Sequence, residues 1–222
     1  MALRATVVCA FGVLAFAGCG GGGSNNSSSS DNTDVCAQFQ NPPPIRTTNA
    51  PWPAPQDPMA LTCKAGLVPE KAEFLQYHVH AHLDVFVNGR PVIVPAGIGI
   101  DVHNPAVRAD RNDSGLVTGT GLTQVCDQPC ISPLHTHDLS GLLHTETKTP
   151  SPNRLGQFFT QWAVRLTSKC VGGYCKPDVP IKIYVDGQVQ AGDPTQIELG
   201  DKREIAIVIG TPPATIPEEF PQ

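Results

Sequence analysis

From Tyr77 the chain alternates strictly. Tyr77, Val79, Ala81, Leu83, Val85 and Val87 share one parity; His78, His80, His82, Asp84, Phe86 and Asn88 share the other. A period of two sustained this long predicts a strand with one apolar face. Asn88-Gly89 reads as a hairpin turn into Pro91-Val-Ile-Val-Pro95. A short helix is expected over 69–76, and weak strand signals lie around 97–102 and 115–125. Leu134–Thr147 predicts a second hairpin, turning at Asp138-Leu-Ser-Gly141. Ser151-Pro152 then reads as an N-cap followed by Pro at the first helical position. Leu155, Phe158, Phe159, Trp162 and Leu166 recur at helical spacing, the stripe of a helix lying on a sheet. Strand patterns return at Ile181–Val185, Gln188–Gln190 and Glu204–Ile209, where Ile205, Ile207 and Ile209 share a face. The expected fold is α+β: a mostly antiparallel sheet of two or more hairpins with one covering helix, β-grasp-like or β-sandwich-like.

The ends of the chain read differently. Arg4 precedes an apolar or small stretch, Ala5–Ala17, too short to span a bilayer and of the length of a signal-peptide core. Its end, Leu14-Ala-Phe-Ala-Gly-Cys19, resembles a bacterial lipobox, with Phe16 where Leu is usual. The resemblance implies cleavage before Cys19 and a diacylglyceryl thioether on its sulfur. The protein would then be exported and held on a membrane by that lipid, facing the periplasm or the cell exterior, within reach of a membrane protein partner. Gly20–Asp34 holds only Gly, Ser, Asn, Asp and Thr, the composition of a flexible tether. The expected organisation is a signal at 1–18, a tether at 19–34, a Pro-rich extended arm at 35–68, a His-rich β domain at 69–212 and a Pro-rich tail at 213–222.

Composition narrows the function. Gly and Pro number 21 and 22, which argues for a loop-rich, strand-rich fold. The formal charge is -5 and no basic run occurs, so a nucleic-acid partner is not expected. Of the eight Cys, Cys9 falls inside the signal and Cys19 at its end. An even set remains: Cys36, Cys63, Cys126, Cys130, Cys170 and Cys175. In an exported chain these read as disulfides. The close spacings favour Cys126 with Cys130 and Cys170 with Cys175, leaving Cys36 for Cys63. The competing reading makes Cys126 and Cys130 ligands of a soft metal.

Histidine carries the chemistry. His78, His80 and His82 alternate along one strand, so their imidazoles leave the same face. His135, His137 and His144 flank the second hairpin. With Leu139-Ser140 as its turn, His135 lies opposite His144. Two clusters of three in one short domain predict a transition-metal site, copper or zinc, both suited to imidazole. Asp84, Asp138 and Glu146 are the carboxylates placed to orient a ligand imidazole or act as a general base. The helical H-E-x-x-H of metalloproteases is absent. His103, in Asp-Val-His-Asn-Pro, stands alone as a loop residue.

The strings His78-Val-His-Ala-His-Leu-Asp-Val-Phe-Val-Asn-Gly89, Val94-Pro-Ala-Gly-Ile-Gly-Ile100, Leu134-His-Thr-His-Asp-Leu-Ser-Gly-Leu-Leu-His-Thr-Glu146 and Leu155-Gly-Gln-Phe-Phe159 are similar to a family of exported or membrane-attached bacterial and archaeal proteins. The resemblance covers roughly residues 77–210 and implies a place outside the cytoplasm but no particular activity. Arg154 stands where Thr is expected before Leu155, which moves the helix cap to Ser151. Three functions fit the sequence. The first is a lipoprotein that captures or buffers copper or zinc without catalysis. The second is a His-ligated metalloenzyme, hydrolytic or redox. The third is a surface interaction module whose His clusters are structural.

Overall fold

The structure is a computed structural model and describes residues 35–221; the expected signal and the whole tether, Cys19 included, lie outside them. The alternating run forms β1 (Tyr77–Val87). Asn88 and Gly89 turn the chain with φ of 49° and 76°, the left-handed backbone that a two-residue hairpin loop requires. The chain returns as β2 (Arg90–Val92), paired with Val85–Val87. β3 (Val107–Arg111) and β4 (Val117–Leu122) form a separate hairpin. β5 (Leu134–His135) and β6 (Leu142–Thr147) follow, then the small hairpin β7 (Cys170–Val171) and β8 (Tyr174–Cys175). β9 (Ile181–Val185), β10 (Gln188–Val189) and β11 (Arg203–Ile209) complete the chain. The main sheet runs β10-β9-β11-β1-β6-β5, with β2 beside the end of β1.

This corrects the expected fold class. The chain is mostly β, 32% strand against 11% helix, and its seven-stranded sheet is mixed. β1 and β11, at the sheet's centre, run parallel, so the sheet is not the hairpin-built antiparallel one of an α+β fold with a single covering helix. Alternation identifies a strand and its buried face, but it reads the same whichever way the neighbour runs. Nothing in Ile205, Ile207 and Ile209 reveals that they lie alongside Leu83, Val85 and Val87.

The covering layer is also shared. Helix α2 (Leu155–Gln161) buries Leu155, Phe158 and Phe159 in one core cluster with Leu83, Val85, Leu143, Ile205 and Ile207 of the sheet, as its stripe predicts. Trp162 follows directly, and its Nε1 donates to the Trp52 carbonyl at 3.0 Å, so the buried indole leaves no unpaired polar group. Trp52 itself is buried, with its ring edge-on to Trp162 at 5.6 Å. The Pro-rich segment expected as an arm outside the core therefore supplies part of it. That segment also forms helix α1 (Pro58–Lys64), with Pro58 in its first turn, whereas no helix forms over 69–76. The cap of α2 is Arg154 rather than Ser151; its backbone N–H donates to Gln157 Oε1 at 2.8 Å. Three disulfides close the chain: Cys36–Cys63, Cys126–Cys130 and Cys170–Cys175. Cys126 and Cys130 are thereby occupied and are not thiolate ligands.

Candidate metal centre

The polar parity of β1 faces away from the core, and its neighbours add to it. On one side His78 pairs with Glu146, His80 with His144 and His82 with Leu142 of β6. On the far side of β6, His135 of β5 pairs with His144, the register expected of the second hairpin. On the other side of β1, His82 pairs with Glu204 of β11. Directly opposed side chains stand about 4.5–5.5 Å apart at Cβ. Three adjacent strands thus bring His78, His80, His135, His137, His144 and Glu146 onto one patch.

The Val94-Pro-Ala-Gly-Ile-Gly-Ile100 string explains how β5 is fixed. Expected as a weak strand from Gly97, it is instead a loop in which Gly97 and Gly99 take positive φ. It clamps residues 132–136: Gly97 N–H donates to the Thr136 carbonyl at 2.9 Å, Thr136 N–H to Ile98 at 3.1 Å and Ser132 N–H to Gly99 at 2.7 Å. Beyond His135 the chain leaves β6, because Thr120 of β4 donates N–H and Oγ1 to the His137 carbonyl at 2.8 and 3.0 Å. The hairpin is therefore not closed by a tight Leu139-Ser140 turn. Asp138 is exposed and accepts Ser140 N–H at 2.9 Å, which occupies it in the turn.

The donor atoms converge. His135 is 1% exposed, and its Nδ1 lies 2.8 Å from the Ser132 carbonyl. A carbonyl only accepts, so Nδ1 carries the proton and Nε2 keeps its lone pair. Histidine ligands commonly have their second nitrogen oriented in this way. That Nε2 lies 3.1 Å from His137 Nε2 and 3.8 Å from Glu146 Oε2. His78 Nε2 and His80 Nε2 are 2.9 Å apart, and His80 Nε2 is 3.0 Å from His144 Nδ1. Glu146 Oε1 lies 3.2 Å from His78 Nε2 and 3.4 Å from His144 Nδ1. Three groups of donor atoms have all members within 4.8 Å of one another: His135, His137, His144 and Glu146; His78, His80 and His144; and, beside this patch, His82, Asp84 and Glu204.

Burial and neighbouring charge favour the neutral, metal-binding form of His80, His135 and His137. Burial, reinforced by His137, pushes His135 down to about 3. Burial and the neighbouring His144 also hold His137 and His80 below the usual histidine value. Burial alone would raise the Glu146 carboxyl. The hydrogen bond with His144 and the nearby His135 and His78 outweigh it, so the carboxylate is held below its ordinary range. Glu146 Oε2 and His137 Nδ1 are buried with no hydrogen-bond partner.

His82 stands apart from this patch. Its Nε2–H donates to the Ser140 carbonyl at 2.8 Å, and its Nδ1 meets Glu204 Oε2 at 2.7 Å, with Asp84 Oδ2 at 3.6 Å. Burial opposes charge on this ring. Glu204, the Ser140 carbonyl and Asp84 together outweigh it and raise the His82 pKa. His82 and Glu204 form a buried pair at ion-pair distance, although burial raises the Glu204 carboxyl against the pull of His82, with Phe220 of the C-terminal tail edge-on to the imidazole at 6.5 Å. His103 is exposed, on a loop away from both groups.

Two acidic residues escaped the sequence reading. Glu204 had a signal: it occupies the parity opposite Ile205, Ile207 and Ile209, the same face as the histidines once β11 lies beside β1. Glu73, whose Oε1 is 3.8 Å from His137 Nε2, had none, for it sits in an irregular segment. No family model, curated protein or solved structure matches the chain.

Proposed function

We propose that this protein is an exported lipoprotein that binds copper or zinc through histidines on adjacent strands, capturing or buffering the ion without chemical turnover. The observation that carries the reading is His135. Its ring is buried, its tautomer is set by the Ser132 carbonyl, and its unprotonated Nε2 points at His137 and Glu146. That prearrangement suits an ion and serves no evident packing purpose. The lipobox-like Leu14–Cys19, the tether after it and the resemblance to exported proteins support a place outside the cytoplasm.

The test is a melt of the metal-stripped protein with and without added Zn(II) or Cu(II). Binding to the folded state alone should raise stability by about 2.7 kcal/mol at a hundredfold excess over Kd. The double substitution His135→Ala, His137→Ala should reduce that gain. Equal melting with and without either ion would overturn the reading.

Anchoring is tested separately. Wild type should partition with membranes and carry lipid on Cys19, whereas Cys19→Ser should be soluble or unprocessed. Identical partitioning of the two into the aqueous phase would exclude the lipid anchor.

A further inference from the structure

The donor atoms are too many for one ion. Five imidazoles and Glu146 face one patch, while zinc in a structural or catalytic site takes about four ligands. They also fall into two sets. Around His144, the successive contacts His78 Nε2–His80 Nε2, His80 Nε2–His144 Nδ1, His144 Nδ1–Glu146 Oε1 and Glu146 Oε1–His78 Nε2 are 2.9, 3.0, 3.4 and 3.2 Å. Any two ligands of a tetrahedral ion with bonds of 2.0–2.1 Å lie about 3.3–3.4 Å apart, and His78, His80 and His144 are the three here whose donor atoms are mutually within 4.8 Å. Around His135, the Nε2 atoms of His135 and His137 are 3.1 Å apart, with Glu146 Oε2 and Glu73 Oε1 each 3.8 Å from one of them.

Glu146 belongs to both sets through different oxygens. Oε1 faces His78 and His144, and Oε2 faces His135. The side chain is 4% exposed, and Oε2 has no hydrogen-bond partner. A buried carboxylate oxygen without a donor is costly unless a cation meets it. We infer that the patch is a two-ion centre bridged by the Glu146 carboxylate. One ion is held by His78, His80 and His144, with Oε1 in reach of it beside His78 and His144. The other is held by His135, His137 and Oε2, with Glu73 in reach of its remaining position. This deepens the metal-binding reading and rests on it.

The experiment counts Zn(II) per chain in the full exported protein after gel filtration, then repeats the loading with Cu(II) for electron paramagnetic resonance. Two ions per wild-type chain are expected. Two Cu(II) ions bridged by one carboxylate should lie about 3.5–4 Å apart, and their signal should show strong mutual coupling. His78→Ala with His80→Ala should retain one ion, and so should His135→Ala with His137→Ala. The first pair lies at the exposed end of the patch, so it keeps the test valid if the buried pair unfolds the protein. Glu146→Gln should weaken the second ion by about tenfold or more. One ion in wild type, lost in both double variants, would overturn the bridge in favour of a single shared site. Two uncoupled Cu(II) ions would also overturn it. No ion at all would overturn the metal-binding reading itself.

Discussion

A Gly99→Ala chain is expected to lose about 2–5 kcal/mol of folding stability and much of its metal affinity. Gly99 has φ of 75°, where an L side chain costs roughly 1–2 kcal/mol. A Cβ there would also stand 2.6 Å from the Leu134 carbonyl oxygen and 2.7 Å from Gln161 Oε1. Overpacking of this kind costs typically 1–3 kcal/mol. The strained neighbour is the backbone just before His135, so relief must move that imidazole. Gly99→Ala should therefore lower the metal-free melting temperature and reduce zinc affinity together. Gly115→Ala is the control. Its φ is 78°, but nothing lies within 4 Å of the added carbon, so it carries the backbone penalty without the clash. Equal losses in the two variants would show that the contact with Leu134 is unimportant.

Glu204→Ala should cost about 3–5 kcal/mol, the usual penalty for removing one member of a buried ion pair. The Glu204 side chain is 1% exposed and that of His82 10%. The double substitution His82→Leu, Glu204→Leu should recover most of the loss, because it leaves no unpaired charge. Ion count should be unchanged in both variants, since neither residue belongs to the two donor sets around Glu146. The pH dependence has a definite sign. His82 binds its proton more tightly folded than unfolded, so the stability from that proton is complete below about pH 6.5 and declines as pH rises through the folded value; the ion pair itself also needs an ionised Glu204, whose carboxyl burial raises. If Glu204→Ala instead removed an ion, His82 would have to be counted as a ligand.

The sequence disclosed the site more fully than the fold. Alternation in residues 77–87 and the spacing of His135, His137 and His144 sufficed to place histidines on common faces, because side-chain parity is a local property of a strand. It did not disclose that β11 crosses back beside β1, which is decided by contacts between distant residues. Glu204 was hidden for that reason. Trp52 was hidden behind its prolines: composition suggests an extended segment, and such a segment can still insert one large side chain into a core. His137 was placed correctly for face but not for partner, since Thr120 of β4 takes its backbone. Asp138, an acceptable base by proximity in sequence, is consumed by its own turn.

The parallel seam between β1 and β11 has a kinetic consequence. Its partners are separated by most of the domain; His82 and Glu204 are 122 positions apart. The β1–β2 hairpin closes locally and early and β6 can pair with the start of β1, but the other edge of β1 has no partner until the last strand arrives. Closing so long a loop carries an entropic cost before any seam contact offsets it. Chains dominated by such distant pairings fold in roughly milliseconds to seconds rather than microseconds. A chain emerging from its N-terminus would leave that edge of β1 unpaired throughout that interval, and only the arrival of Arg203–Ile209 would close it.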